Sequence, residues 1–600
     1  MQNGSIDNKR GGLMKIKRCN LIALLLAALL PLHGNNALAF EQIKFEDGTV
    51  LDVSLQVNYQ YLKRTNGQDP SFTKLSVTSL SIPALVDSLK TRYIPWQNMD
   101  DGDNSVKKHG TISNRVSALV EINLTRDDYR AFLRANSFHD AVYYGSSDNH
   151  SQGTFNGIGP SNQYSPEAKS LLGQRSRVLD AYVQGRWRLG DNGENPLLVK
   201  VGRQVVNWGE GLLFMGMGGS MNPMDMVKGL TPGVPIQELF LPSEQVYTTL
   251  SVNEKLTLMA YKKWKFRATE VAPVGTYFSP SDTTGPGGDF LSAINLGPLG
   301  HYGSLGGPDI GNTAKGQWGI GAKYQLAEET GIGLYHLRYT DMNPLPEFTF
   351  GGNYVNIGPA SPYSNLITAG LAWSNLLPSS FSTHYMNGVK LTGASFTTRL
   401  GEMNVAGEIA YRDGAPLMMS DQHYALARGK VTNAQISVIK IWGHEFLYDL
   451  LKSDTFRLAG EVATSHVNSF ETPAISGVIA TPALLGLPRI PPTLMNDRNS
   501  GAYALNLELA YNAIFPGWDM TVPVMWMHEL HGNPAMAGWN SGLGGKNDRH
   551  LSLGVKFTYM QNLELGLQLA YYLGDLHVEA PSFRPWADRD FIAFTAAYHF

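Results

Sequence analysis

Between residues 51 and 61 apolar and polar positions alternate without a break. Leu51, Val53, Leu55, Val57, Tyr59 and Tyr61 take the odd positions, and Asp52, Ser54, Gln56, Asn58 and Gln60 the even ones. A strand sends successive side chains to opposite faces, so such a segment separates an apolar medium from a wet one. The same period returns at 116–124, 179–189, 317–326, 403–411, 503–511, 551–559 and 563–573. In 179–189 the apolar face reads Leu179, Val183, Trp187 and Leu189, against Asp180, Gln184, Arg186 and Arg188. These runs reach about ten residues, the length a tilted strand needs to cross a bilayer, where strands of soluble sheets run nearer five or six.

The connections alternate in length. Short ones fall near 190–196, 253–254, 327–330, 401–402, 516–517 and 561–562, and long ones at 207–244, 266–315, 342–388, 413–430, 466–500, 531–548 and 574–588. Tight turns on one rim and long loops on the other predict an all-β fold, a transmembrane antiparallel β-barrel with long extracellular loops. From residue 176 onward there are fifteen candidate strands, 111–124 makes a sixteenth and 51–62 a seventeenth. Closed bacterial barrels have even numbers, so a weaker strand at 71–81 extends the range to about 16–18. Segments 83–91 and 125–135 read as short helices, belonging either to a plug or to the loops. In the last run, 589–600, Ile592, Phe594, Ala596, Tyr598 and Phe600 share one face. An amphipathic final strand ending in Phe resembles the signal read by the barrel assembly machinery.

One stretch breaks the pattern. It starts as a strand, Leu197, Val199, Val201 and Val205 alternating with Lys200, Gly202 and Gln204, and leaves that period at Asn207. About thirty-five residues without a period follow, a length that marks a loop as either disordered or functional. Trp208 and five methionines, Met215, Met217, Met221, Met224 and Met226, would be costly in water, and this predicts a loop folded back into something hollow. Arg203 breaks the apolar parity of its strand, either facing inward through a bulge or capping the strand near the rim, where Trp208 and Glu210 could meet it.

Composition supports the same class. Lys15, Lys17 and Arg18 precede an apolar run at 21–32, and Ala37-Leu38-Ala39 offers the small residues signal peptidase needs, so 1–39 reads as a signal peptide, with 1–13 as an extension before Met14. The barrel then occupies 40–600, including an N-terminal segment at 63–110. The only cysteine, Cys19, lies in the leader, which excludes disulfide and thiolate chemistry from the mature chain. A net charge of −3, more acidic still once the basic leader is removed, is no nucleic-acid footprint. After the leader no run of eighteen apolar residues occurs, so no membrane-spanning helix is predicted.

Candidate chemistry is sparse. In His528-Glu529-Leu530-His531 the histidines are three apart at a strand end, where the zinc helix motif needs four. Asp100, Asp101 and Asp103 flank Gly102, but the twelve-residue calcium loop with its closing Glu is absent, so a solvated turn is the reading. No catalytic, cofactor-binding or metal residue is predicted, and no P-loop, dinucleotide fingerprint or nucleophile elbow occurs. Strand parity turns Glu121, Asp180, Arg186, Arg188, Glu508 and Glu564 toward the lumen, either as cross-wall ladders worth little in wet surroundings or as permeant-selecting charges.

Gly202-Arg203-Gln204-Val205-Val206-Asn207-Trp208-Gly209-Glu210, followed by Asn222-Pro223-Met224-Asp225 and Leu241-Pro242, resembles a proteobacterial outer-membrane family known as domain of unknown function 1302. The resemblance covers nearly all of the mature chain. Gly211 stands where it leads one to expect a hydroxyl residue. It implies a large outer-membrane barrel of a Gram-negative cell, accompanied by a second secreted protein and an inner-membrane permease of the resistance-nodulation-division type. The expected function is a conduit for a small apolar or amphipathic compound, with no enzyme activity. Its gate or ligand loop would comprise Arg203, Asn207, Trp208, Glu210, Met215, Met217, Met221, Asn222 and Asp225. The alternative is a non-transport scaffold or surface interaction protein whose long loops bind partners. Low charge density favours the conduit for apolar cargo, since pores for ions or sugars carry stronger charge rings.

Overall fold

The computed structural model describes residues 42–69, 98–151, 154–230, 239–349, 354–374, 380–420, 426–444, 448–471, 493–536, 538, 542–577 and 584–600. Eighteen long strands close into a ring. They are β1 (Val50–Arg64), β2 (Thr111–Arg126), β3 (Tyr129–Asp140), β4 (Gln174–Leu189), β5 (Asn195–Gln204) and β6 (Ser243–Ser251). There follow β7 (Leu256–Lys263), β8 (Trp318–Ala327), β9 (Thr330–Tyr339), β10 (Val389–Leu400), β11 (Met403–Ser420) and β12 (Leu426–Trp442). The last six are β13 (Thr455–Phe470), β14 (Asn499–Phe515), β15 (Trp518–His531), β16 (Arg549–Tyr559), β17 (Leu563–Leu573) and β18 (Phe591–His599). Each pairs antiparallel with its sequence neighbours, and β1 closes the ring on β18, Gln56 opposite His599 and Arg64 opposite Phe591.

The alternation sorts side chains across the wall. Val116, Val183, Leu334, Ile409, Ile436, Val462 and Leu567 stand exposed on the outside. Their neighbours in sequence point into the lumen, among them Tyr335, Glu408, Ala410, Glu461 and Ala463, all buried. Among the described residues closure leaves the ring without an edge strand, which is what a hydrocarbon surrounding demands.

Three expectations need correction. Segment 125–135 is not a helix. Asp127, at φ 50°, makes a tight turn and the chain reverses into β3, Arg126 pairing with Tyr129. That hairpin supplies the eighteenth strand. The candidates at 71–81 and 83–91 lie outside the described residues, as does the leader 1–39. Second, Leu179 does not face lipid. Leu133 pairs with Ala181 and Ala135 with Val178, so Arg134 alone faces both Leu179 and Asp180. This bulge turns Leu179 inward, where it is buried, and leaves Val178 exposed. Third, 413–430 is no long loop, since β11 and β12 stay paired as far as Met418 and Leu426.

Above the long-loop rim the chain folds back over the seam. Leu62, Ile112, Tyr277, Phe278, Tyr572 and Phe591 form an apolar cluster there. Arg64, wholly buried, donates to the Asp103 carboxylate at 2.6 Å, to the carbonyl of Val106 and to the carbonyl of Asp588.

Candidate functional site within the lumen

At the end of β5 the chain turns into the barrel. Trp208, buried, stacks on Tyr335 of β9 and meets Tyr261 of β7 edge-on, at ring distances of 5.8 and 5.2 Å. Met217 and Met221 are also buried and join Leu337, Val389 and Leu391 in one apolar cluster on that wall. A side chain at Gly393 would collide with the sulfur of Met217, so the wall is shaped to this methionine. Farther round, Phe214 lands on Ala463, Ala502 and Ala504, whose small side chains let the loop approach closely. The loop thus runs from β5 to β13, eight strands along in a ring of eighteen, and nearly spans the lumen.

Two lumen carboxylates bolt it down. Glu408 of β11 accepts from the backbone N–H of Glu210 at 2.7 Å and of Met217 at 2.6 Å. Glu461 of β13 accepts from the N–H groups of Leu212, Leu213 and Phe214 at 3.2, 2.5 and 2.7 Å. Gly209 and Gly216 have positive φ, and a Cβ on either would collide with the Glu408 carboxylate, so this close approach requires glycine. Arg412 of β11 donates to the Gly216 carbonyl at 3.0 Å and the Ser220 hydroxyl at 3.1 Å, and also bonds Asn433. Hydrogen bonds to an ionised acceptor contribute roughly 1.5–3 kcal/mol each, so the five amide bonds hold the loop firmly.

The return leg brings the two distant motif segments together. The N–H of Leu241 donates to the Pro223 carbonyl at 2.8 Å, and that of Asp225 to the Leu239 carbonyl at 2.9 Å. Asp225 then pairs with Arg177 of β4 at 3.0 Å. Beside it Glu270 takes Arg175, Arg177 and Arg267 at 2.7, 2.9 and 3.2 Å. Burial alone would raise the Glu270 carboxyl, but the hydrogen bond from Arg175 and the charges of the three arginines outweigh it and bring the pKa to about 2. Arg175, Arg177, Asp225 and Glu270 line part of a cavity of about 320 Å³ under the long loops. Phe138, Leu171, Leu172, Val227, Pro273 and Tyr385 supply apolar surface, and Arg115, Lys228 and Asp309 add further charge to the lining.

The loop residues named from sequence therefore divide. Trp208, Met217 and Met221 pack the loop against the wall, Met215 is half-buried and Asn207 exposed. Glu210 reaches Lys323 of β8 at 3.1 Å, Asn222 donates to the Val206 carbonyl at 2.8 Å, and Asp225 borders the cavity. Arg203 does not meet Trp208 or Glu210. It shares the outward parity of Val201 and bonds Glu244 across the β5–β6 pair at 2.5 Å. A Cβ at Gly211 would press on the Phe214 carbonyl at 2.8 Å, which explains the glycine there.

Of the inward charges, Asp180 pairs with Arg134 at 2.5 Å, Glu121 lies 3.9 Å from the same guanidinium and Glu564 lies 3.6 Å from Lys556. Arg186 and Arg188 stand exposed near the tight-turn rim, and Glu508 shares the inward parity of the buried Ala502 and Ala504. Sequence reading missed Glu408, Glu461 and Arg412. An acid or base at mid-strand on the polar face was the available signal. The aspartates at 100, 101 and 103 are no solvated turn, for all three are buried.

An edge-free barrel with an apolar outer wall, tight turns at one rim and long loops at the other is a transmembrane barrel of the Gram-negative outer membrane. Residues 18–600 match the family described as Protein of unknown function (DUF1302), and the chain belongs to that family. No curated protein matches the sequence. Among solved structures the chain is similar to OccAB3 of Acinetobacter baumannii, at 8% identity and TM-score 0.39, over 92% of this chain and 99% of that one. It is similar to OccK9 (OpdG) of Pseudomonas aeruginosa, at 10% identity and TM-score 0.37, over 92% and 98%. The outer membrane channel DcaP of Acinetobacter baumannii gives 8% and 0.33, over 94% and 100%. The strand pairing defines the fold by itself.

Proposed function

We propose that the barrel is a channel that admits a small amphipathic compound through the cavity beneath the long loops. The observation that carries this reading is the cavity's make-up: apolar surface from Leu171, Leu172, Val227 and Tyr385 beside fixed charges, Arg175 and Arg177 held by Glu270 and Asp225, with Arg115, Lys228 and Asp309 also in the lining. A volume of about 320 Å³ suits a small molecule, and a mostly apolar pocket with a few fixed polar groups is the usual form of a small-ligand site. The bolted loop narrows the path below it, and Met217 and Met221 serve that narrowing as packing. A periplasmic companion and a resistance-nodulation-division permease belong to the same proposal, as the route onward that the family resemblance implies.

The test is uptake and leakage of a panel of apolar, amphipathic and polar solutes in cells lacking the gene, complemented by the wild type or by Leu172→Arg, which places charge in the apolar part of the cavity. Loss of one amphipathic class, restored by the wild type and not by the variant, is the expected result. Fluxes equal in all strains for every solute would reject transport and turn attention to partners of the surface loops.

A further inference from the structure

Three carboxylates outside the lumen site meet in the cap over the seam. Asp100, Asp101 and Asp282 are each no more than 1% exposed, and each offers one oxygen within 4.8 Å of the others. Two of their oxygens, Oδ1 of Asp100 and Oδ1 of Asp282, are buried with no hydrogen-bond partner. The nearby cations are committed elsewhere. Arg64 binds Asp103 and Asp588, while Arg589 donates through one nitrogen to the carbonyls of Tyr277 and Ser279, lies 3.8 Å from Asp103, and reaches Asp282 through its charge without pairing with it. Among the described residues no Lys or Arg forms an ion pair with any of the three.

The remaining oxygens are held by neutral donors. Thr154 and Asn104 both donate at 2.7 Å to Oδ2 of Asp100, Asn149 and the N–H of Asn156 donate to Asp101 at 2.9 and 2.8 Å, and the N–H of Asp101 donates to Asp282 at 3.3 Å. Such contacts orient ligands, as outer partners do at metal sites, and none of them supplies positive charge. Three buried carboxylates, two of them with a partnerless oxygen and none in an ion pair with a described base, are costly unless a cation or protons neutralise them. Burial, and for Asp100 and Asp282 the neighbouring aspartate charges, push all three upward, Asp101 to about 7.

We propose that Asp100, Asp101 and Asp282 bind a calcium ion that ties residues 98–104, 149–151, 154–156 and 276–282 into one cap. An all-oxygen, carboxylate-rich site suits a hard cation, and a dry one suits calcium over magnesium, which sheds its water reluctantly. The site is separate from the cavity and does not depend on the transport reading.

The folded barrel in detergent, stripped with EDTA and dialysed, would be titrated with calcium chloride, and bound calcium counted per chain. One ion with a dissociation constant on the order of 0.1–1 mM, the range of extracellular modules, is expected. Asp282→Asn, a change of charge at nearly constant shape, should weaken it at least tenfold, with folding checked by heat-modifiable gel mobility. Magnesium should bind at least tenfold more weakly than calcium. Absence of bound calcium at 10 mM on the wild-type barrel overturns the proposal whatever the variant does. Calcium binding unchanged in Asp282→Asn, or magnesium binding as tight as calcium, overturns it too.

Discussion

Two groups of buried acids in this protein are treated in opposite ways. In the lumen, Glu408 and Glu461 are surrounded by backbone N–H groups of the inward loop. In the cap, Asp100, Asp101 and Asp282 face one another, and two of their oxygens accept nothing. The first arrangement lets a carboxylate organise a chain segment, because a loop without regular structure has unpaired amides to donate. The second lets carboxylates organise an ion. Whether a buried acid acts as a bolt or as a ligand is decided by what its oxygens still lack.

The largest expected effect comes from removing the bolts. Glu408→Ala with Glu461→Ala leaves five backbone N–H groups in the lumen without acceptors, at roughly 1–3 kcal/mol each. The loop should leave its seat, and single-channel conductance in planar bilayers should rise several-fold. Unchanged conductance would mean that the apolar contacts of Trp208 and Met217 hold the loop unaided. In the cap, EDTA treatment of the wild type should lower stability against thermal unfolding by about 2 kcal/mol relative to 10 mM calcium, from ligand linkage at the expected affinity. No difference would place the cap among protonated acid clusters.

Glu270 sharpens the comparison from a third side, as an acid satisfied by arginines. Its folded pKa of about 2 lies below its ordinary 4.5. The stability it adds is complete above about 4.5 and is lost as pH falls from there through about 2. Amide exchange in residues 223–230, corrected for intrinsic rate, should stay constant from pH 7 to 5 and quicken below 4. Acceleration already between pH 7 and 5 would contradict the arginine clasp. The smallest effect is expected at Arg203→Ala. Its pair with Glu244 is on the outer wall near the rim, and partly exposed ion pairs contribute about 1 kcal/mol or less. Solute flux should stay at the wild-type level, and a lost flux would return Arg203 to the gate.

Much of this was legible along the chain. The fifteen strands from residue 176 onward and the inward fate of the loop follow from period and composition, because a lipid-facing wall imposes strict alternation. The β2–β3 hairpin was hidden because its turn depends on the left-handed conformation of Asp127, while the apolar spacing in 125–135 also suits a short helix. The bolts were hidden for another reason. Glu461 meets Phe214 across 247 positions of sequence, and its partners are backbone amides, which no side-chain pattern announces. The cap acids come from places 181 positions apart, and only the fold joins them.

The seam carries one more consequence. Arg64 at the end of the first strand is held by Asp588, 524 positions away and just before the last strand. A chain that stops short of Asp588 leaves Arg64 without that partner and β1 without β18, and so keeps an open edge. Pairing across such a separation carries a large loop-closure cost and is slow to form. The last strand and the buried Arg64 of β1 thus finish the wall together, and a copy shortened before Asp588 is left with a raw edge.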